Sequence, residues 1–161
     1  MSLVIRIAHA GDVATILGFI RGLAAYEKLS HEVFADEAQL AKTLFGERPA
    51  AEVLLAEEAG MPVGFALFFT SYSTFLGKPG LYLEDLFVDP GKRSRGIGAA
   101  LMAALAKLAV ERDYGRFEWS VLDWNEPALT FYRSLGAAPM TEWTVQRLTG
   151  DPLRALAARS R

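Results

Sequence analysis

The chain has no cysteine and only two histidines, His9 and His31, among its 161 residues. Disulfides, thiol nucleophiles and thiolate metal sites are therefore excluded, and a histidine-built metal cluster is not expected. Long apolar runs are missing too. No stretch reaches the length needed to cross a bilayer, and Met1-Ser2-Leu3-Val4-Ile5-Arg6-Ile7 reads as a first strand rather than a leader, so the expected location is the cytoplasm with no membrane partner. Net positive charge is also lacking: 17 Lys and Arg stand against 19 Asp and Glu, a formal charge of -2. Without a broad basic surface to displace counterions, nucleic-acid binding is not expected. What is present, 52% hydrophobic and 22% charged residues, suits one globular domain spanning residues 1–161.

The densest signal is Leu81-Tyr82-Leu83-Glu84-Asp85-Leu86-Phe87-Val88-Asp89-Pro90, which runs into Gly91-Lys92-Arg93-Ser94-Arg95-Gly96-Ile97-Gly98 and then an alanine- and leucine-rich segment. It reads as strand, turn and helix. Glycines let the backbone approach a phosphate oxygen, the helix directs its unpaired N–H groups and positive dipole end to the same place, and Lys92, Arg93 and Arg95 add charge. No Gly-Lys-Ser or Gly-Lys-Thr follows, which excludes a nucleoside-triphosphate P-loop, and the three-glycine dinucleotide order is absent.

Apolar periodicity and capping residues organise the rest. Residues 3–8 read as a strand. From the cap Asp12, Val13, Ile16, Leu17, Ile20, Leu23 and Ala24 recur at helical spacing, and a second helix runs from Asp36 through Leu40, Ala41 and Leu44 to a stop at Gly46. Residues 52–58 and 62–72 flank Ala59-Gly60-Met61 as a hairpin. A strand over 81–88 follows a loop, helix three covers about 98–113, and 116–122 is strand again. Asn125 caps a helix that has Pro127 in its first turn and Gly136 past its end. Residues 141–148 read as a closing strand, and Asp151-Pro152 opens a short helix. A hairpin series giving way to strand, helix, strand is an α+β mixed sheet, with the ligand expected where the sheet order changes.

Three segments carry a resemblance: the Glu84-Asp85-Leu86-Phe87-Val88 strand, the Arg93-Ser94-Arg95-Gly96-Ile97-Gly98 turn, and Asp123-Trp124-Asn125-Glu126-Pro127-Ala128-Leu129-Thr130-Phe131-Tyr132. Together they resemble the GNAT superfamily of acetyl-CoA-dependent N-acetyltransferases, and within it the spermidine/spermine and thialysine acetyltransferase branch. The glycine turn is specific to the superfamily; Trp-Asn-Glu-Pro followed by Phe-Tyr is specific to the branch. The likeness covers nearly the whole chain. It implies a GNAT-type mixed, mostly antiparallel central sheet flanked by helices, with acetyl-CoA as cofactor. The pantetheine arm would lie against the backbone of Leu86, Phe87 and Val88. The pyrophosphate would sit on Ser94, Arg95, Gly96, Ile97, Gly98 and Ala99 beside Arg93, with Asn125 reaching the cofactor too.

The implied reaction is direct attack of a primary amine of a small polyamine, diamine or diamino acid. Tyr132 matches the family's general acid: a phenol of pKa about 10 stays protonated at neutral pH and can pass its proton to a thiolate of pKa roughly 8.5 or above. An alkyl ammonium of pKa about 10.4 is neutral in roughly one molecule in a thousand near pH 7.4, an offset of about 4 kcal/mol that a base must supply. The resemblance favours Glu84 as amine ligand and base, with Asp85 second. Strict strand alternation would put these two on opposite faces. Tyr26 and Glu27 match the amine-binding pair, and a glutamate at a helix C-terminus opposes the dipole, which favours a ligand role. Glu118, Trp119 and Ser120 would line the far wall of the substrate channel, Trp119 being alternatively a core residue.

Two positions depart from the branch. Ser73 stands where polyamine acetyltransferases carry an acid gripping a distal ammonium, which points instead to small amines or diamino acids, as in thialysine-type relatives. Leu135 stands where relatives often offer the cofactor a basic contact. A protein or peptide acceptor, and a non-catalytic acyl-CoA-binding sensor, are the alternative readings. The resemblance also implies a homodimer, for which Trp143, Val145 and Leu148 are an apolar interface candidate, or else pack internally.

Overall fold

The computed structural model describes residues 2–160, which fall into two compact units meeting at Ser120 and Val121. The first contains a five-stranded sheet, ordered in sequence from β1 to β5: Leu3–Ile7, Glu52–Glu58, Met61–Ser73, Lys78–Val88 and Phe117–Trp119. The first four strands are antiparallel, and β5 joins β4 in parallel. Three helices accompany them: α1 Val13–Tyr26, α2 Glu37–Phe45 and α3 Ile97–Glu111. The mixed, mostly antiparallel sheet is the α+β arrangement expected from the sequence.

Local chemistry explains the boundaries. Asp36 accepts the Gln39 N–H at 2.8 Å while the Gln39 side chain accepts the Asp36 N–H at 3.1 Å, a reciprocal cap that fixes the start of α2. Ala59 and Gly60 have φ of +49° and +76°, the pair of left-handed residues that a tight hairpin between β2 and β3 requires. Ser73 Oγ accepts the Leu76 N–H at 3.2 Å in the turn before β4, so that strand begins at Lys78, three residues earlier than the apolar pattern suggests. Arg6 binds both carboxylate oxygens of Asp12, at 2.8 and 2.9 Å, and Glu57 at 2.8 Å, tying β1 to β2 and to the start of α1. The Arg6 guanidinium holds the Asp12 carboxyl down at about 2.

Residues 53–56 of β2 and 63–66 of β3 are consecutively buried, which requires cover on both faces of the sheet. On one face Ile16, Leu17 and Phe19 of α1 and Leu40 and Leu44 of α2 meet Val53, Leu55, Phe65 and Phe87. Phe19 stacks on Phe65 with centroids 5.5 Å apart and lies 6.0 Å from Phe87. Helix α3 packs on β1 to β4 through its own buried row, Ile97, Leu101, Met102, Leu105 and Ala109.

The second unit holds α4, Glu126–Ser134, and α5, Gly150–Ala157. Asn125 Oδ1 accepts the Ala128 N–H at 3.3 Å, and Gly136 has φ +87°, so α4 starts and stops where its sequence indicates. Residues 141–148 form no strand: apolar alternation is only half of what a strand needs, and none of the ladders includes them. Trp143 and Val145 are each 79% exposed, so this segment does not pack internally.

Candidate active site

The β3–β4 ladder pairs Phe68 with Leu83 and Leu67 with Asp85, leaving Glu84 as an extra residue, a β-bulge. Bulges bend a strand, and the consequence appears on the opposite edge. The parallel ladder with β5 ends at Leu83 with Trp119, and β4 runs on through residues 84–88 past that last rung. Strand β5 is accordingly three residues long, not the seven of 116–122. Leu86, Phe87 and Val88 thus extend beyond the β5 ladder, with Phe87 buried and its neighbours half-buried.

The bulge also gathers acids. Glu84 is exposed and Asp85 is half-buried, and the alternation assumed from the sequence is interrupted between them. Burial, then Glu84, then Glu27 push the Asp85 carboxyl up to about 6. Burial raises Glu27 as well. Glu27 sits at the C-terminal cap of α1, its N–H bonded to the Leu23 carbonyl at 2.9 Å, and Lys28 follows with φ +61°. Glu27 and Asp85 are therefore within electrostatic reach of one another, with Tyr26 and Glu84 as their respective neighbours in the chain.

Arg93 joins this group rather than standing with the other basic residues. Its guanidinium lies 4.8 Å from the centroid of the Tyr26 ring and 5.4 Å from that of Phe87, and its Nε donates to the Val88 carbonyl at 3.0 Å. It links the expected amine site to the strand end expected to hold a cofactor, a connection invisible in the sequence. Gly22 of α1 makes room for the Phe87 ring, since a Cβ there would stand 2.8 Å from Phe87 Cζ.

The turn itself has the geometry of an anion cradle. Ser94 and Gly96 have φ of +63° and +79°, and no heavy atom lies within 4 Å of a Cβ built on Gly96. The first bond within α3 runs from the Ala100 N–H to the Gly96 carbonyl at 2.9 Å, so the N–H groups of Ile97, Gly98 and Ala99 precede the helical ladder. Ile97 is buried and anchors the helix start, whereas Ser94, Arg95 and Ala99 are exposed. Arg95 lies 3.4 Å from Glu58, a residue for which the sequence held no signal.

Glu118 pairs with Tyr82 in the parallel ladder, Trp119 is half-buried with its ring centroid 4.9 Å from Phe117, and Ser120 Oγ lies 2.7 Å from Tyr82 Oη. Asn125 and Tyr132 belong to the second unit. There Asn125 is buried at the cap of α4, and Tyr132, half-buried on the same helix, lies 5.4 Å from the Phe131 ring. No helix among the described residues is long and apolar enough to cross a membrane.

Comparison with known proteins places this geometry. The acetyltransferase (GNAT) family profile matches residues 14–137. A thialysine N-epsilon-acetyltransferase of Sus scrofa is 39% identical over 98% of this chain and 99% of its own length. An L-ornithine N5-acetyltransferase of Arabidopsis thaliana is 36% identical over 94% of this chain and 86% of its own. Among solved structures, an integron cassette protein from the mobile metagenome of V. cholerae superposes with a TM-score of 0.82 at 29% identity, covering 99% of each chain. A bulged β4 that outruns its parallel neighbour, a glycine turn feeding α3 and these full-length likenesses agree, and the chain belongs to the GNAT family of acetyltransferases, near its thialysine N-epsilon-acetyltransferases.

Proposed function

We propose that the protein acetylates a primary amine of a small diamine or diamino acid, a polyamine being the less favoured member of the same class, with acetyl-CoA as donor. The observation that carries this is the convergence of Glu27, Glu84 and Asp85 at the bulged end of β4, next to backbone that outruns its ladder. Acids so placed attract a substrate with more than one ammonium. The relatives from Sus scrofa and Arabidopsis thaliana are named for thialysine and L-ornithine, both diamino acids. Ser73, at the place of a polyamine-gripping acid, is only 8% exposed and serves its own turn, which supports a short substrate.

The residues present suit an acyl-CoA. Leu86, Phe87 and Val88 offer extended backbone to a pantetheine arm, and residues 94–99 offer N–H groups and left-handed geometry to a pyrophosphate, with Asn125 as a further contact. When bound, acetyl-CoA supplies a thioester-activated acetyl group. Tyr26 and Glu27 hold the amine, Glu84 accepts the ammonium proton, and Asp85 adds negative charge behind it. Tyr132 Oη would hold the proton for the thiolate that leaves, and the second proton shed by the nitrogen as it becomes an amide would restore the Tyr132 hydroxyl. Glu118, Trp119 and Ser120 form the far wall. Both units act as one domain in this reading, and the exposed Trp143 and Val145 supply the apolar contact of a homodimer.

The test is release of free CoA thiol from acetyl-CoA across putrescine, spermidine, ornithine, lysine, thialysine and a short peptide. Rapid release with a diamine or diamino acid, a fall in turnover for Tyr132→Phe at unchanged acetyl-CoA affinity, and a raised acceptor KM for Glu84→Gln are expected. A preference for spermidine refutes the reading of Ser73, and a preference for the peptide refutes the substrate class. Unchanged turnover in Tyr132→Phe removes that residue from its role, and a monomer by light scattering removes the dimer.

A further inference from the structure

Glu58 ends β2 immediately before the Ala59-Gly60 turn. Its side chain is 12% exposed, and one oxygen, Oε2, receives Lys92 Nζ at 2.9 Å and Arg95 Nη1 at 3.4 Å. Both cations belong to the glycine turn, 34 and 37 residues further along the chain. The third basic residue of the turn, Arg93, is occupied at Val88, Tyr26 and Phe87. Lys92 and Arg95 are thus the turn's remaining basic residues, and both rest on one carboxylate. The hydrogen bond from Lys92 is the main cause of a Glu58 pKa below the ordinary carboxylate value. Glu58 lies on β2, apart in sequence from the acids of β4.

An acid beside an anion-binding turn opposes raw affinity, since its charge subtracts from the field that draws phosphate in. It also gives the two cations a partner within the protein. We propose that Glu58 is an internal counter-ion of the phosphate-binding turn, holding Lys92 and Arg95 when the turn is empty and competing with the phosphates of CoA for them. Phosphate entry then exchanges one ion pair for another, and phosphate departure is assisted as the carboxylate recaptures both cations. The residue sets how tightly CoA is held and how quickly it leaves. This inference rests on the acetyl-CoA reading above.

The experiment is calorimetric titration of CoA into wild type, Glu58→Gln, Lys92→Met and the double variant, at low and at moderate salt, with dissociation rates by stopped flow. Glu58→Gln keeps the shape and one acceptor oxygen but removes the charge. It should tighten CoA by roughly two- to fivefold, the range that partly exposed ion pairs command, and slow its dissociation by a similar factor. The gain should shrink in the Lys92→Met background and at higher salt. Equal or weaker binding by folded Glu58→Gln, or the same gain with and without Lys92, overturns the proposal. Should Glu58→Gln not fold, Glu58→Asp, whose shorter arm loosens its hold on both cations, should shift affinity in the same direction, and no shift there is equally adverse. Absence of CoA binding by the wild type would sink the donor reading itself, and this proposal with it.

Discussion

Asp85 lowers the protein's stability at neutral pH, and the size of that effect follows from its surroundings. Burial beside Glu84 and Glu27 moves its carboxyl from 3.8 to about 6, so between those values the folded protein binds more protons than the unfolded chain. Stability therefore falls as pH rises through this window and levels off above it; below the lower value both states are protonated and Asp85 contributes nothing. At about 1.4 kcal/mol per pH unit the full effect is about 3 kcal/mol at pH 8, and only about half of it has developed by pH 5. Asp85→Asn removes the charge at nearly constant shape and should recover most of this. For a chain of this length that is roughly 6–12 °C in Tm at pH 8 and roughly half as much at pH 5. Thermal unfolding of both proteins at the two pH values is the assay. An equal gain at both, or a loss at pH 8, would refute the reasoning, because an effect of packing or hydrogen bonding alone does not follow this titration. The same variant should bind the amine more weakly, which is a stability–function trade-off localised to one carboxylate.

Arg93→Met removes the bond to the Val88 carbonyl and the cation over the Tyr26 ring, so the KM of both amine and acetyl-CoA should rise, each by roughly three- to tenfold. Arg93→Lys should not restore them, because an ammonium lacks the planar face; a change confined to acetyl-CoA in steady-state kinetics would reduce Arg93 to a phosphate contact. In α1, Gly18→Ala meets nothing within 4 Å and should raise stability by about 0.5–1 kcal/mol through helix propensity. Gly22→Ala meets Phe87 Cζ at 2.8 Å and should lose about 1–3 kcal/mol to overpacking, a contrast that urea unfolding resolves and that equal shifts would contradict.

The fold was legible wherever structure is made by neighbours in the chain. The Asp36 cap, the Ala59-Gly60 turn, the Asn125 cap and the apolar rows of α1 and α3 all depend on residues a few positions apart. Residues 141–148 were not legible, because a strand requires an edge to bond to, and sequence alternation does not reveal whether one is available. The short β5 had the same cause, since its length is fixed by where β4 bends away. At the site, the glycine turn is contiguous and readable from its residues alone. The contacts of Glu58 with Lys92 and of Arg93 with Tyr26 join distant segments and left no trace in spacing.

The least legible feature organises the site. On β4, Leu81 and Leu83 pair with Thr70 and Phe68, whereas Asp85 and Phe87 pair with Leu67 and Phe65. Side chains of directly paired residues share a face, so across Glu84 the inward row of β4 passes from the face of Phe68 to that of Phe65. All four residues carry odd numbers, and a regular strand would have kept them on one side. The extra residue is what delivers Phe87 to the cluster beneath α1, and Asp85 to the neighbourhood of Glu27 at that helix's end. It also coincides with the last rung between β4 and β5, beyond which the backbone of residues 84–88 outruns its parallel neighbour. Acid cluster and extended strand end thus have one geometric origin. Removing Glu84 by deletion rather than substitution would make the ladder regular while keeping Asp85 opposite Leu67 and Phe87 opposite Phe65, so it would take away the bend but not the face of either residue, whereas Glu84→Gln leaves the architecture intact and alters only the charge.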